Sequence, residues 1–247
     1  MKRFIIIGAT SSIAEHCARL WVAKAPINLT LVARNAARTE SIADDLKVRS
    51  PNSVIRVVTG DFEDPDSIQR LVDQILDQGE AHCVLIAHGS LPDQTACQQD
   101  LATNAKELSI NGISPVLFAE AIANSMAQAG RGTLGIIGSV AGDRGRKSNY
   151  VYGAAKGMIT RYVQGLQHRL TGTGVTVTLI KPGPTSTSMT AHLIDEGPPL
   201  ADVADVAATI VAGMEKGRSV IYAPAKWVVI MMIIRHLPRF IFNRMDI

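Results

Sequence analysis

The chain has 247 residues, of which 47% are hydrophobic and 19% are charged, so it can bury a large core and is not a disordered polymer. Its 25 Lys and Arg against 22 Asp and Glu give a net charge of +3, which excludes a globally basic nucleic-acid binder. Three cysteines without a Cys-x-x-Cys pair argue against a disulfide framework and favour a reducing compartment, the cytoplasm. The N-terminal apolar run, residues 4–7, is too short for a signal peptide, and no run approaches a spanning helix.

Short apolar runs of strand length alternate with longer amphipathic runs along the chain. The short runs are mostly continuously hydrophobic, which is typical of parallel strands covered on both faces. The predicted strands are residues 4–7, 29–33, 54–58, 83–86, 134–137, 175–180 and 220–222. The predicted helices are residues 13–25, 39–49, 65–78, an interrupted region from 93 to 129, 148–170 and 202–216. This alternation predicts an α/β domain over residues 1–225, a Rossmann-type doubly wound parallel sheet of about seven strands with helices on both faces.

The first predicted strand ends in a turn rich in small residues, and a helix follows it. The turn contains Gly8, Thr10, Ser11, Ser12 and Ile13. Backbone N–H groups of such a turn can reach a pyrophosphate at the positive end of the helix. The full Gly-x-Gly-x-x-Gly motif is absent, because Ser12 and Ala14 stand where further glycines are usual. The position of the turn in the fold predicts a dinucleotide site. The alternative interpretation is an ordinary connecting turn, because such turns are also rich in Gly, Ser and Thr.

Arg34 follows the second predicted strand, where an acidic residue would bind the ribose 2′-hydroxyl of NAD(H). A guanidinium at this place suits the 2′-phosphate of NADP(H), so the sequence favours NADP(H) and leaves NAD(H) open. A solvated surface arginine is the alternative interpretation.

Tyr152 and Lys156 stand four residues apart near the start of a predicted helix, which places both side chains on one face. A neighbouring ammonium favours the phenolate form of tyrosine, so the pair can serve as an acid/base catalyst. Tyr150 lacks such a partner, since Ala154 lies four residues on. Ser139 follows the fifth predicted strand, and Asn111 lies in the interrupted helical region.

These motifs occur in the same order, and at the same strand ends, as in the short-chain dehydrogenase/reductase superfamily. The chain resembles that superfamily from residue 4 to about residue 222. The resemblance implies a catalytic tetrad of Asn111, Ser139, Tyr152 and Lys156, in which Lys156 lowers the pKa of Tyr152 and Asn111 holds a water of a proton relay. It places Asp61 at the adenine and the threonine of the Pro-Gly-x-x-x-Thr segment at the nicotinamide carboxamide. The remaining cofactor contacts that it implies are Phe62, Ala87, Gly89, Pro182, Gly183, Thr185 and Thr187, together with Tyr152 and Lys156. No metal is expected, because the histidines lack ligand spacing.

The chain departs from the family pattern at Ser12 and Ala14 in the first turn, and at Ala87-His88, which replaces the usual Asn-Ala before Gly89. His88 could be catalytic, but a structural histidine is the favoured interpretation. The segment from about 184 to 200 is predicted to form a lid that selects the substrate. Met189 and His192 in this segment are the candidate substrate contacts.

The C-terminal tail, residues 226–247, has eight consecutive apolar residues from Trp227, followed by arginines and aromatic residues. This pattern suits a helix that lies in a membrane interface, and it equally suits an interface between subunits of a homodimer or homotetramer. The tail contains four basic residues, Lys226, Arg235, Arg239 and Arg244, and one acid, Asp246. That difference equals the whole net charge of +3, so the preceding body is formally neutral.

A closer resemblance covers the lid and the tail, in Ser188-Met189-Thr190-Ala191-His192-Leu193 and Arg235-His236-Leu237-Pro238-Arg239. There the chain is similar to the decaprenylphosphoryl-2-keto-pentose reductases. The resemblance implies reduction of a lipid-linked keto sugar, as the second half of a C2 epimerisation that follows a flavin-dependent oxidase. It implies a peripheral location on the inner face of the cell membrane, with the tail arginines available to phosphate. A reductase of another lipophilic ketone and a non-catalytic nucleotide-binding scaffold remain as alternatives.

Overall fold

A computed structural model describes residues 1–193 and 199–245, except for the side chains of His192 and Leu193. Its core is one seven-stranded parallel sheet in the order β3-β2-β1-β4-β5-β6-β7. The strands are β1 (Arg3–Ile7), β2 (Asn28–Ala33), β3 (Val54–Thr59), β4 (Cys83–Ile86), β5 (Gly132–Ile137), β6 (Val175–Pro182) and β7 (Val220–Ala223). All seven predicted strands are therefore confirmed, most of them one or two residues longer than the apolar run alone indicated.

The central strand β1 pairs with β2 on one side and with β4 on the other, so that Ile7 is in register with Val32 and with Ile86. The chain first winds outward from β1 through β2 to β3 and then returns to add β4 on the other side. A crevice forms at such a reversal, outside the carboxyl ends of the strands. The turns after β1 and β4 therefore face one another across this crevice.

Helices cover both faces of the sheet. They are α1 (Ser12–Lys24), α2 (Ala36–Arg49), α3 (Pro65–Leu76), α4 (Gln94–Gln99), α5 (Leu101–Leu108), α6 (Ser114–Ala129), α7 (Tyr150–Arg169), α8 (Val203–Glu215), α9 (Trp227–His236) and α10 (Arg239–Phe242). One buried apolar cluster joins the sheet to α1, α2 and α8, and a second joins it to α3, α6 and α7. Two cores on opposite faces explain why the strands are apolar along their whole length.

Helix boundaries follow the local chemistry of the sequence. The Asp64 carboxylate accepts a hydrogen bond from the backbone N–H of Ser67 (2.8 Å) at the start of α3, with Pro65 at the first helical position. Gly217 ends α8 with a φ of 64°, in the left-handed region that favours glycine. The interrupted region resolves into three α-helices with one π-helical turn, Ser109–Ile113, between the second and the third.

The tail forms α9 and α10, which pack beside β7 and beside the loop after β5. In the described ranges, 1–193 and 199–245, no helix is long and apolar enough to cross a membrane. The three cysteine thiols are free and buried.

Candidate active site

The turn after β1 forms one wall of a cavity with a volume of about 290 Å³. Gly8 has a φ of 85°, and a Cβ atom added there would lie 2.5 Å from the backbone nitrogen of His88. Only glycine fits this position, because a side chain would collide with the turn after β4. Thr10, Ser11, Ser12 and Ile13 line the same cavity at the beginning of α1, where free backbone N–H groups can bind a phosphate.

Arg34 lines this cavity at the end of β2, with 59% of its side chain exposed. Its guanidinium lies 3.5 Å from the Glu63 carboxylate, which is also exposed. Such a surface pair is weak and can open toward a ligand. Asp61, predicted to meet the adenine, accepts a hydrogen bond from the backbone N–H of Glu63 (2.9 Å) and is not among the residues lining the cavity. Phe62 and Glu63 line the wall there.

His88 is a half-buried residue whose ring packs between those of Phe62 and Phe118, with centroids 5.0 and 5.5 Å from its own. Burial, followed by the charges of Lys156 and Arg34, lowers the pKa of His88 to about 3, so the ring is neutral at physiological pH. Nε2 and the Ser114 hydroxyl are hydrogen-bonded at 2.9 Å, whereas Nδ1 is buried without a partner. The structural interpretation of this histidine is therefore favoured.

A second cavity continues from the first, with Ser11, His88 and Thr187 lining both. The four residues of the predicted tetrad line this second cavity, namely Asn111, Ser139, Tyr152 and Lys156. They come from four places in the sequence: the π-helical turn, the end of β5 and two successive turns of α7. The sheet and α7 thus bring together the side chains that the sequence selected.

Two glycines allow the loop after β5 to lie directly on α7. A Cβ atom at Gly142 would lie 2.5 Å from the carbonyl carbon of Lys156, and one at Gly153 would lie 3.1 Å from the carbonyl oxygen of Ala141. The Ser139 hydroxyl accepts a hydrogen bond from the backbone N–H of Ala141 (3.1 Å) at the start of a short 3₁₀-helix. This close backbone contact sets the position of Ser139 relative to Tyr152.

Burial dominates the ionisation of the tyrosine and the lysine. It raises the pKa of Tyr152, while a hydrogen-bonding interaction with Ser139 acts in the opposite direction. It also lowers the pKa of Lys156 to about 8. The net shift for Tyr152 is therefore upward, opposite to the direction expected from a neighbouring ammonium alone. Lys156 Nζ lies 5.6 Å from the Tyr152 ring centroid and donates a hydrogen bond to the Ile137 carbonyl (3.2 Å).

Asn111 is fully buried, and all the polar atoms of its amide have partners. Its Oδ1 accepts from the backbone N–H of Ser90 (2.8 Å), and its Nδ2 donates to the Ser90 hydroxyl and the Glu107 carboxylate, both at 3.0 Å. A Cβ atom at Gly89 would lie 2.9 Å from Asn111 Oδ1 and 3.5 Å from Lys156 Nζ, so glycine keeps this space open. π-Helical turns often occur at functional sites, and this one carries Asn111.

The segment after β6 forms the third side of the cavity. Pro182, Gly183, Thr185, Thr187 and Met189 all line it. Thr185 donates a hydrogen bond to the Gly183 carbonyl (2.8 Å), and a short 3₁₀-helix, Ser188–Leu193, follows. The predicted substrate contact at His192 rests on a side chain outside the described residues, as does the middle of the predicted lid, residues 194–198.

Sequence reasoning missed a group of charged residues in the loop after β5. Arg146 lines the second cavity, and Asp143 forms a buried ion pair with Lys181. The Tyr222 hydroxyl donates a hydrogen bond to the same Asp143 carboxylate (2.8 Å). Arg144 donates to the carbonyls of residues 234 and 237 and stacks on the Phe242 ring, 3.8 Å from its centroid. No local motif marks these residues, because their partners are about 40 to 100 positions away.

The groove formed by the two cavities fits a dinucleotide on three observations. The glycine turn admits close backbone approach, the buried Nδ1 of the lining residue His88 has no partner among the described residues, and the exposed Arg34 lines the groove. Residues 1–193 and 199–245 contain no group of three or more His, Cys, Asp or Glu that could hold a metal ion.

Comparison with known proteins places residues 2–197 in a match to the short chain dehydrogenase family. The chain is 31% identical over 245 residues to an uncharacterized oxidoreductase of Mycobacterium tuberculosis, covering 98% of this chain and 96% of that protein. It is 30% identical over 191 residues to sulfoacetaldehyde reductase 2 of Chromohalobacter salexigens, covering 75% and 73%. A short-chain dehydrogenase from Sphingobium yanoikuyae, solved in complex with NADPH, has the same fold, with a TM-score of 0.83, 21% identity and 97% coverage of both chains.

Proposed function

The chain belongs to the short-chain dehydrogenase family and is a nicotinamide-dependent oxidoreductase, and from this premise we propose that it reduces the keto group of a sugar carried on a polyprenyl phosphate. The observation that carries the reductase activity in this proposal is the continuous groove, which joins the glycine turn at Gly8 to Ser139, Tyr152 and Lys156. A scaffold protein would not require these side chains to converge on one cavity.

A nicotinamide cofactor held in this groove would supply the hydride that the carbonyl carbon gains, and the protein would supply the proton. Tyr152 donates its phenolic proton to the carbonyl oxygen, and its raised pKa keeps it protonated at neutral pH. Ser139, beside it in the cavity, stabilises the negative charge that develops on that oxygen. Lys156 is mostly protonated below its pKa of about 8, so its charge also favours this oxygen becoming negative. Asn111 positions the backbone of Ser90 and holds this wall in place.

NADPH is the proposed cofactor. Arg34 places an exposed guanidinium at the end of β2, and no acidic residue ends that strand. A guanidinium matches a phosphate dianion, whereas the 2′-hydroxyl of NADH would gain little from it. The Sphingobium short-chain dehydrogenase binds NADPH in the same fold, which supports the assignment.

The lipid-linked sugar is proposed from the likeness of the lid and tail residues to the decaprenylphosphoryl-2-keto-pentose reductases. Its source would be a flavin-dependent oxidase acting on the same lipid-linked sugar. The properties of the tail support a substrate of this kind. Val229, Met232 and Ile233 of α9 and Phe240 of α10 are each more than half exposed, and Arg239 and Arg244 lie exposed near them.

An exposed apolar surface with neighbouring arginines suits the interface of an anionic membrane, so we assign the tail to peripheral membrane binding. Pairing of two tails in a homodimer or homotetramer would cover the same side chains. The double variant Val229→Gln/Ile233→Gln distinguishes membrane binding from subunit pairing, and it leaves the buried Met231 unchanged. Loss of sedimentation with phosphatidylglycerol vesicles at an unchanged oligomeric state supports membrane binding, and a changed oligomeric state with unchanged sedimentation contradicts it.

The substrate is tested by a reductase assay with a polyprenyl-phosphoryl 2-keto-pentose, run separately with NADPH and NADH. We expect turnover with NADPH and formation of the reduced sugar. Another lipophilic ketone and sulfoacetaldehyde, the latter taken from the name of the Chromohalobacter relative, are the competing substrates. Turnover of either competitor without turnover of the lipid-linked sugar would contradict the proposed substrate.

A further inference from the structure

Among the described residues that line the second cavity, Arg146 is the one cation outside the tetrad. It lies in the loop between the 3₁₀-helix after β5 and the start of α7. Ser139 and Tyr152, which would hold the reacting carbonyl, line the same cavity. A substrate bound with its carbonyl at these two residues therefore has a guanidinium within the walls of its own binding site.

One edge of the Arg146 guanidinium is buried and has no hydrogen-bond partner. Nε and Nη2 are each shielded from solvent, and neither donates to any atom of the described residues. These two nitrogens form the side of the guanidinium that presents two parallel N–H groups. That geometry matches two oxygens of a phosphate, carboxylate or sulfonate.

Another polar atom in the lining of the second cavity is buried without a partner among the described residues. It is the Oδ1 atom of Asn149. Buried polar groups in folded proteins nearly always have partners, so unpaired polar atoms in two residues that line one cavity indicate a polar ligand.

The charge of Arg146 is not neutralised by a committed partner. Its nearest acidic influence is Asp143, whose carboxylate already pairs with Lys181 and accepts a hydrogen bond from Tyr222. Burial accordingly lowers the pKa of the Arg146 guanidinium, with Asp143 opposing the shift. A desolvated cation of this kind gains strongly from an anion that enters the cavity.

We propose that Arg146 determines substrate specificity by binding the anionic group of the substrate through its guanidinium. The inference rests on the proposed function, and it assigns the phosphate of the lipid-linked sugar to this residue. The tail arginines Arg239 and Arg244 are exposed and line neither cavity. We therefore assign them to contacts with the membrane surface and not to the substrate phosphate.

The test compares two substrates that differ in one charge: farnesylphosphoryl 2-keto-pentose and the neutral farnesyl 2-keto-pentoside. We expect Arg146→Gln to raise KM for the phosphorylated substrate about ten- to hundredfold, with KM for the neutral one unchanged and kcat changed much less. For the phosphorylated substrate, Arg146→Lys should have a KM between those of the wild type and Arg146→Gln, since lysine keeps the charge and lacks the paired N–H groups. Arg161→Gln, at an exposed residue of α7 that lines neither cavity, is the matched control and should leave both KM values unchanged. An equal effect of Arg146→Gln on both substrates, or no effect on either, overturns the proposal.

A binding measurement separates this inference from the proposed function. If the wild-type protein reduces neither sugar, the proposed substrate is wrong, and methyl phosphate is titrated calorimetrically into the NADPH-loaded protein. Binding by the wild type that is lost in Arg146→Gln supports the anion site, provided that circular dichroism shows the variant folded. Equal binding by both proteins, or binding by neither, overturns it.

Discussion

The two ends of the groove differ in the chemical groups that line them. At the end proposed to hold the nucleotide, backbone groups of the turn after β1 and two exposed guanidinium groups, those of Arg34 and Arg38, line the wall, and the nearby His88 is neutral. At the substrate end, Lys156 and Arg146 bring positive charge into the cavity, and an ion pair of Asp143 with Lys181 lies behind them. Backbone recognition needs little more than a glycine and a helix start, whereas buried charges need partners from distant parts of the chain.

The largest effect on catalysis is expected at the substrate end of the groove, from the loss of the proposed proton donor Tyr152. Tyr152→Phe removes the phenolic proton while leaving the ring, so we expect kcat to fall about 10²- to 10⁴-fold. The nucleotide end is separate from this hydroxyl, so the affinity for NADPH measured by fluorescence titration should be unchanged. Turnover near the wild-type rate would show that the tyrosine is not the acid.

The buried ion pair gives the largest expected effect on stability. Lys181→Met leaves the Asp143 carboxylate buried with the Tyr222 hydroxyl, and we expect the free energy of unfolding in urea to fall by about 3–5 kcal/mol. Lys24→Met is the matched control. Its pair with Glu215 is about half exposed, so removing it should cost less than about 1 kcal/mol. A similar loss of unfolding free energy in both variants would contradict the prediction that the buried ion pair matters more for stability than the exposed one. Addition of Asp143→Asn to Lys181→Met should restore much of the loss.

The lowered pKa of Lys156 predicts the pH dependence of reduction. Because the protonated lysine is the active form and burial lowers its pKa from 10.5 to about 8, kcat/KM should be constant below about pH 7. Above pH 8 it should fall about tenfold per pH unit. Tyr152 has a raised pKa and stays protonated over this range, so it does not cause the decrease. The Lys156→Arg variant keeps its charge at high pH. Its residual kcat/KM should therefore not fall above pH 8. A decrease unchanged in that variant would assign it to another group.

The smallest effect is expected at the nucleotide end, where the charged contact is exposed. Arg34→Ala should raise KM for NADPH about tenfold and leave KM for NADH unchanged, because only NADPH carries the 2′-phosphate. Equal changes for the two cofactors would show that Arg34 supports the turn and does not select between them. Steady-state kinetics with each cofactor gives the comparison directly.

The sequence was sufficient for the sheet and for the placement of Tyr152 beside Lys156 because these signals are local, whereas Asn111 and Ser139 entered the predicted tetrad through the family resemblance. Apolar runs predict the strands, and the spacing of Tyr152 and Lys156 predicts one face of α7. The sign of the net pKa shift at Tyr152 was not predictable, since it depends on burial by residues from other elements. Arg146 also escaped notice, because an arginine in a loop of Gly, Lys and Ser looks solvated until the loop is folded against α7.

Arg144 gives the C-terminal helices a role in the placement of the loop after β5. Its guanidinium donates to two backbone carbonyls at the end of α9 and stacks on Phe242, while the same loop holds Ser139 at one end and Arg146 further on. The tail is therefore not a removable module, because its deletion would leave Arg144 without these acceptors. Grafting a tail from another family member should succeed only when residues 143–149 are exchanged with it.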